Sequence, residues 1–465
     1  MLKLYILSLC ATLAWPFLKV SRPANALPIV IHGLFNLFLS IVIYIGKIDL
    51  TYETIIFTKY QLLLKASNPG WVLIFLILYL WIPSYLYAVN YLKKSGEGRD
   101  GRFLFFLNLT FLLGVVLGLA ANLLTLYIFY ELITLSTLPL VGHNSNNHAT
   151  KNALMKYSFY LLSSSICLLL PVVIYANSYL GKGLFELEGN IFLRGSNECL
   201  VLMILGGIFG IAKTSILPLS NWLPAAMAAN YPTSAALHAV VVVNAGIYSL
   251  YKYIYEFIGY DNFAKFTEQN TYVLLIPISG IIYAGVNAIF ENNIKKILAW
   301  STVAYMNLLV AIIFSPLENL YLFIGLILHS LAKITLFFIF GFLYLAKKYT
   351  NLNDLVGMRS SDPFVYLLVS LCSIIISAPP IFLLGDFKKI IKDTAFNIED
   401  KILLITIILS TFFSFIYLGR ILCYMGIKSG ASKQIFEYDI ISFGILCSTF
   451  FAAIVILSYL KYLHF

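Results

Sequence analysis

Two ionisable side chains lie deep inside apolar stretches of this 465-residue sequence. Glu131 lies in NLLTLYIFYELITLSTLPLVG, and Lys213 lies in MILGGIFGIAKTSILPL. Because a charged side chain at the centre of a membrane helix costs roughly 2.5–3.5 kcal/mol on insertion scales, such residues usually face the protein interior and a partner. If the two segments touch, the pair is neutral overall, and small changes in hydration can move its proton. A proton relay requires this property; the alternative is a static buried ion pair that fixes helix packing.

A second set of polar residues lies in two other apolar runs. His329 and Lys333, in LILHSLAKITLFFIFG, are four residues apart and therefore share one helix face. Histidine titrates near neutral pH, and lysine does so when it is desolvated, so this face can pass protons. His238 and Asn244 are the polar positions of SAALHAVVVVNAGIYSL. For a single membrane histidine, a hydrogen-bonded packing role is an equally good interpretation.

Proline interrupts two of the apolar runs, in LPLSNWLP at 217–224 and in SAPPIFLLG at 377–385. Proline removes a backbone donor and clashes with the preceding turn, and broken backbone survives in a bilayer only where protein or a water-filled cavity satisfies it. Paired breaks in two halves of a chain are typical of transport sites built from inverted repeats; two unrelated proline kinks are the alternative. Lys388 and Lys389 follow the second break, where they either end a half-channel or are ordinary loop lysines.

The elements that carry these residues are predicted to be membrane-spanning helices. The chain is 60% hydrophobic and 11% charged, whereas soluble domains are about half apolar and a quarter charged. Since the hydrocarbon core needs about 20 apolar residues per helix, we expect an all-α polytopic membrane protein with about fourteen transmembrane helices. The predicted spans lie near residues 3–19, 27–46, 69–92, 103–121, 122–142, 157–180, 199–219, 231–257, 272–290, 294–315, 317–347, 364–387, 402–425 and 439–460.

The polar connections between spans are too short to fold alone, so a single membrane domain over 1–465 is predicted. Its predicted parts are N-terminal helices at 1–101, a first repeat at 102–257, a second repeat at 272–425 and a C-terminal helix at 439–465.

The net charge of +10 would suggest nucleic acid as the partner of a soluble protein, but the Lys and Arg residues lie in short loops between spans. A membrane surface explains them better, and a slight excess in the odd-numbered loops places both termini outside the cytoplasm. The first segment is similar to a signal peptide, with Lys3, an apolar run and an AxA-like site at 24–26. Because Lys19, Arg22 and Pro23 interrupt the approach to that site, we expect a retained first span.

The sequence shows no motif for metal, cofactor or nucleotide binding. The six cysteines form no CxxC pair, and no histidine stands at metal-ligand spacing, so neither a metal site nor a cofactor is predicted. No P-loop and no GxGxxG following a strand is present. Energy is therefore expected to come from an ion gradient or from a partner subunit.

From about residue 100 to 390 the sequence resembles the proton-conducting, antiporter-like membrane subunits shared by Mrp-type cation/proton antiporters, respiratory complex I and membrane-bound hydrogenases. Each matching stretch combines an embedded charge with its helix break or small-residue context, in the family's order. The strongest are NLLTLYIFYELITLSTLPLVGH, KTSILPLSNWLPAAMAANYPTSAALHAVVVVNAG, NNIKKILAWSTVAY and HSLAKITLFFIFG. LPAAMAAN and AKITLFF favour the D-like branch of the Mrp proteins, and the end of the chain near the last predicted span argues against the longest branches.

The resemblance implies a fold of fourteen helices with two inverted five-helix repeats, broken seventh and twelfth spans, and a hydrated axis of charged residues at mid-membrane. The resemblance implies that Glu131 is the family's fifth-span glutamate and Lys213 its seventh-span lysine. It also implies that His329 and Lys333 are the eleventh-span H-x-x-x-K pair, and that the twelfth-span lysine is Lys388 or Lys389. With His238 added, these residues form the predicted proton relay.

Two positions depart from the family pattern. Asn244 stands where many members carry an eighth-span lysine, and asparagine can hold a water but cannot titrate. Around the twelfth-span lysine, Gly385, Asp386 and Phe387 are spaced differently from the double proline. Both departures make a degenerate or regulatory subunit an alternative.

The leading hypothesis is a secondary-transport subunit of a bacterial plasma (inner) membrane. In it, protons cross two offset half-channels joined by the relay, coupled to monovalent cation exchange in a larger complex. The second is a pumping subunit of an NADH–quinone oxidoreductase or hydrogenase, driven by redox chemistry in other chains. The third is a scaffold that has lost transport. The expected partners are other membrane subunits, protons, a monovalent cation and the lipid bilayer, with no nucleic acid.

Overall fold

The computed structural model shows a multi-pass helical membrane protein. It describes residues 2–17, 23–48, 51–56, 60–143, 147–179, 197–315, 317, 319–378 and 398–427. Within those residues, ten helices are long and apolar enough to cross a membrane, and each overlaps a predicted span. A pair of helices bent by 118°, Leu352–Ser361 with Pro363–Ser377, brings the number to eleven if it is counted as one span. The all-α polytopic class is thus confirmed, whereas the count of fourteen and the inverted repeats stay predictions.

The helices are, in chain order, α1 (Leu2–Cys10), α2 (Pro23–Ile45), α3 (Asn68–Ser95), α4 (Asp100–Gly118), α5 (Leu123–Val141), α6 (His148–Ser164), α7 (Leu170–Tyr179), α8 (Asn197–Gly210), α9 (Trp222–Ala225), α10 (Tyr231–Ala235), α11 (Val242–Tyr251), α12 (Tyr260–Gln269), α13 (Leu275–Phe290), α14 (Ile294–Ile313), α15 (Asn319–Lys347), α16 (Met358–Ser361), α17 (Pro363–Ser377) and α18 (Ile398–Gly426). The second predicted helix break, with Lys388 and Lys389, and the last predicted span lie outside the described residues.

The chain divides into two compact units. The first unit comprises Met1–Thr214 and Ala228–Asn270, and the second comprises Ser215–Met227 and Thr271–Phe465. The division falls inside the predicted seventh span, so the residues before its break belong to the first unit and those after it to the second.

In the first unit, a small antiparallel hairpin that the sequence analysis did not predict precedes α3. Its strands are β1 (Tyr52–Ile56) and β2 (Tyr60–Leu64). Asn122 ties the hairpin to the start of α5, because its side chain caps the helix at the Thr125 amide (2.7 Å) and donates to the Gln61 carbonyl (2.7 Å). Capping of this kind satisfies backbone donors that a helix start leaves free, so the position of α5 is set at its first turn.

The seventh predicted span is broken directly after α8, earlier than its prolines indicate. A single 3₁₀ turn, Ala212–Thr214, follows α8. Ser215 has a φ of 57°, a left-handed backbone conformation that a residue with a Cβ rarely adopts. The helix therefore cannot continue through this residue, and Lys213 lies in the turn itself.

In the second unit, α14 is the buried central helix. All but two of its twenty residues are buried, and α13, α15 and α18 all pack against it. Close approach to α13 needs a glycine, because a Cβ at Gly280 would overlap the side chain of Asn307 on α14. The carbonyls and hydroxyls of α14 are thereby held next to the polar face of α15.

Candidate functional site

Lys213 is fully buried in the first unit, and its polar contacts within the described residues are with Tyr130 of α5. The Lys213 ammonium donates to the Tyr130 carbonyl at 2.6 Å and lies 3.1 Å from the centroid of the Tyr130 ring. The Lys213 backbone amide donates to the Tyr130 hydroxyl at 3.1 Å. A carbonyl and an aromatic face both favour a cation, so this one tyrosine stabilises the buried ammonium in two ways.

A glycine of α11 lets the broken segment approach so closely. A Cβ at Gly246 would lie 2.5 Å from the Lys213 carbonyl carbon and 2.7 Å from the Thr214 nitrogen. Both are shorter than Cβ contacts in real proteins, so only glycine fits without a shift of the backbone. The fifth, seventh and eighth predicted spans therefore meet at Lys213.

Glu131 follows Tyr130 in the middle of α5. It is partly buried, and its Oε1 atom is buried without a hydrogen-bond partner among the described residues. The Glu131 carboxylate interacts electrostatically with the Lys213 ammonium, but no direct ion pair joins them, since the ammonium donates to the Tyr130 carbonyl instead. The structure thus brings the two predicted residues into one site, with Tyr130 as the direct contact. We call Glu131, Tyr130 and Lys213 the first-unit site.

The eighth predicted span carries His238 and Asn244, which are both fully buried. His238 lies in a single wide helical turn, Ala236–Val240, that separates α10 from α11. The Asn244 amide donates to the Ala239 carbonyl (2.9 Å) and to the Val240 carbonyl (3.0 Å). The Asn244 side chain therefore satisfies backbone acceptors at the helix irregularity.

Lys252 is a buried charge that the sequence analysis missed. It is 1% exposed, pairs with Glu256 at 2.7 Å, and donates to the Ala120 carbonyl at 3.0 Å. The signal was present, because a lysine and a glutamate four residues apart within YKYIYEFIGY share one helix face. Both residues lie near the end of the predicted span at 231–257.

Lys333 of α15 is the buried ammonium of the second unit. It is fully buried, and its ammonium donates to the Leu298 carbonyl of α14 at 3.0 Å and to the Ser301 hydroxyl. Among the residues that the structure describes, all its hydrogen-bond partners are neutral. Ser301 was not predicted, since a contact between two helices leaves no signal in the spacing of either one.

His329 lies one turn before Lys333 on α15, as predicted, and is also fully buried. Its ring stacks on the Tyr305 ring of α14, with centroids 4.7 Å apart and planes at 21°. The Tyr305 hydroxyl donates to the Gly325 carbonyl at 3.2 Å. We call Lys333, His329, Ser301 and Tyr305 the second-unit site.

Fold and sites together define a class of protein: a multi-pass helical membrane protein that buries lysines among carbonyls, hydroxyls and aromatic rings. The family model described as NADH:quinone oxidoreductase/Mrp antiporter, TM, matches residues 120–416. That range includes Glu131, Lys213, His329 and Lys333. The chain belongs to this family.

Two relatives illustrate its range. The chain is 30% identical over 312 residues to NADH-quinone oxidoreductase subunit L of Escherichia coli, an alignment covering 66% of this chain and 49% of that protein. It is 26% identical over 330 residues to the putative antiporter subunit mnhA2 of Staphylococcus aureus, covering 66% of this chain and 40% of that protein. The chain thus spans half the length or less of these relatives. Neither name denotes a D-like Mrp protein, so the assignment to that branch stays a prediction.

Proposed function

We propose that this chain is a proton-translocating membrane subunit of a multisubunit monovalent cation/proton antiporter. The observation that carries the proposal is the fully buried Lys213 ammonium, which lies at a helix break within the electrostatic range of Glu131. A buried lysine is costly in a bilayer. A role that uses both protonation states of Lys213 explains why this lysine lies near a carboxylate.

In the proposed step, Lys213 and Glu131 share a proton. With the ammonium charged, Tyr130 supplies the carbonyl and the ring face that hold it. When the amine is neutral, Glu131 holds the proton and the pair carries no net charge in either arrangement. Moving the proton between them therefore needs no additional buried charge.

The second-unit site supplies a second proton acceptor within the same chain. Lys333 has a carbonyl and a hydroxyl as its partners, and His329 lies one turn away on the same helix. We propose the same proton-carrying role for these two residues and for His238. Lys388 and Lys389, outside the described residues, complete the proposed relay.

A second candidate is a proton-pumping subunit of an NADH–quinone oxidoreductase, and the 30% identity to E. coli subunit L favours it. Both candidates use the first-unit site and differ in what drives it. Native purification separates them: co-purifying flavin and iron–sulfur proteins support the redox assembly, whereas their absence together with antiporter subunits supports cation exchange.

Transport is tested in everted membrane vesicles that contain the native assembly. Lys213→Met and Glu131→Gln should each lower proton flux about 100-fold, the scale on which a positioned proton carrier contributes. The matched control is Lys151→Met, which removes an exposed lysine at the start of α6. Flux that stays unchanged in both site variants, with the assembly intact, would overturn the proposal and favour a scaffold.

A further inference from the structure

A second group of titratable side chains lies at one end of the first unit. His143 follows the last turn of α5 and is 7% exposed. Its Nε2 atom lies 3.9 Å from Oε2 of Glu97, in the connection between α3 and α4. At that distance there is no direct hydrogen bond, and the carboxylate attracts the imidazole when the ring is protonated. The edge of the Phe103 ring covers the imidazole, with centroids 4.9 Å apart.

The carboxylate of Glu97 is also bound to the start of the eighth predicted span. Asn230 donates from its side chain to Oε2 of Glu97 at 3.0 Å. The hydroxyl of Thr233, on the first turn of α10, donates to Oδ1 of Asn230 (2.8 Å) and lies 3.3 Å from the Leu140 carbonyl of α5. Three separate stretches of the first unit therefore meet at Glu97 and His143. We call Glu97, His143 and Asn230 the His143 cluster.

A second set of polar contacts leads from Glu131 toward the same end of α5. Thr134 and Thr137 lie three and six residues after Glu131 on α5, and both are fully buried. The Tyr157 hydroxyl is hydrogen-bonded to the Thr137 hydroxyl at 2.6 Å, and both residues are fully buried. Thr137 precedes Leu140 by three residues, about 4.5 Å along the helix axis. The contacts from Glu131 and those from His143 thus end within one helical turn of each other.

We propose that His143, held beside Glu97, takes up protons from the aqueous phase for Glu131, along a track lined by Tyr157 and Thr137. This proposal rests on the proposed function of the first-unit site. In the step, a hydronium ion of the aqueous phase protonates the imidazole and leaves as water, and the imidazolium then gives a proton to the Glu131 carboxylate and returns to its neutral form. Asn230 cannot titrate, so its place in the cluster is to hold the Glu97 carboxylate. The competing explanation is that these hydroxyls only join helices, as polar side chains in membranes often do.

The charges around His143 determine the direction in which its pKa should shift in two variants. Burial lowers the pKa of His143 below its usual value, while Glu97 and Asp100 oppose this effect and Arg102 adds to it. Removing the Glu97 charge should lower the pKa further, and removing the Arg102 charge should raise it. Glu97→Gln should therefore move the midpoint of proton uptake to lower pH, and Arg102→Gln should move it to higher pH. A purely structural role predicts no such opposite shifts.

The first experiment measures proton uptake by vesicles containing the native assembly, from about pH 5 to 8, where histidine titrates. His143→Ala should reduce uptake about 100-fold, the low end for a lost proton carrier, and added imidazole should restore much of it. The matched control, His148→Ala, removes an exposed histidine at the start of α6 and should leave uptake unchanged. Unchanged uptake in His143→Ala, or a loss that imidazole does not restore, overturns the proposal.

A measurement without transport distinguishes this proposal from the function on which it rests. In the full chain labelled with ¹⁵N-histidine, the His143 signals are assigned by their loss in His143→Gln and titrated by NMR. If the His143 pKa shifts in opposite directions in Glu97→Gln and Arg102→Gln, the proposed electrostatic control of His143 is supported, independently of the flux data. If Glu131→Gln abolishes flux but His143 does not titrate, the uptake role is wrong while the proposed function stands. If Glu131→Gln leaves flux unchanged, the proposed function fails first.

Discussion

The two units hold a buried lysine in different ways. Lys213 lies in an irregular turn after a broken helix, beside the carboxylate of Glu131 and the ring of Tyr130. Lys333 lies within a continuous helix of 29 residues, where its described hydrogen-bond partners are a carbonyl and the Ser301 hydroxyl. The first unit thus stabilises its ammonium with a counter-charge and the second with neutral oxygen atoms.

This difference affects what each lysine can do. A lysine beside a carboxylate can exchange its proton locally while the net charge of the pair stays the same. A lysine among neutral groups changes the net charge of its site whenever it gains or loses a proton. Its protonation must therefore respond strongly to any charge that approaches. Proton transfer within the first-unit site would therefore leave its net charge unchanged, whereas the same proton-carrying step at Lys333 would change the net charge of the second-unit site.

The largest expected effect comes from Lys333→Met, which separates transport from stability. Proton flux should fall about 100-fold. The unfolding temperature of the solubilised chain should stay the same or rise, because replacing a buried charge by an apolar side chain of similar volume is often neutral or stabilising. Flux and thermal unfolding are measured on the same preparation.

Lys347→Met is the control for Lys333→Met. Lys347 ends the same helix and is exposed, so its loss should change neither quantity. A clear fall in the unfolding temperature of Lys333→Met would show that a counter-charge stabilises Lys333 after all, and the contrast between the two units would disappear.

The first-unit site should instead show energetic coupling. Lys213→Met leaves the partly buried Glu131 carboxylate without its nearby cation, which should lower the free energy of unfolding by about 1 kcal/mol or more. Glu131→Gln in the same chain should recover part of that loss, with an interaction energy of roughly 1–3 kcal/mol. The four chains of this double-mutant cycle are compared by denaturant unfolding in detergent. Additive losses would mean that the two side chains do not interact.

Much of the fold could be predicted because apolar run lengths and embedded charges are local in sequence. The span around Glu131 needed only counting, and the four-residue spacing of His329 and Lys333 placed both on one face of α15. The helix break near Lys213 was predicted from proline, yet it begins earlier, at a left-handed Ser215. Backbone strain of that kind has no sequence signature in a non-glycine residue.

The partners of the buried charges could not be predicted in the same way. Tyr130 binds Lys213 through a backbone carbonyl, and every residue has one. Ser301 reaches Lys333 only because α14 and α15 pack side by side. The hairpin β1–β2 is held by Asn122, which is distant from it in sequence. Such contacts depend on tertiary packing, which one sequence does not reveal.

A smaller effect is expected from Ser301→Ala, which tests the neutral partners of Lys333. The ammonium would keep only the Leu298 carbonyl, and losing a buried hydrogen bond to a charged group costs about 1–3 kcal/mol. We expect flux to fall several-fold and Ser301→Thr to preserve it. Ser373→Ala is the control, since the Ser373 hydroxyl bonds the Val369 carbonyl of its own helix. Equal effects of the two alanine variants would rule out a special role for Ser301.

The smallest effect concerns Asn244, the buried asparagine of the eighth predicted span. Its amide donates to the Ala239 and Val240 carbonyls, and a lysine ammonium, with three donors, can satisfy the same acceptors. We expect Asn244→Lys to fold and to raise flux by no more than about twofold, or roughly 0.4 kcal/mol of barrier. Asn244→Leu should instead leave the carbonyls unsatisfied and lower the unfolding temperature. Because a lysine here adds a charge to the first unit, it should also weaken the coupling between Glu131 and Lys213. If Asn244→Lys lowers flux while folding normally, the asparagine serves transport itself, and the first-unit site does not lack a charge at this position.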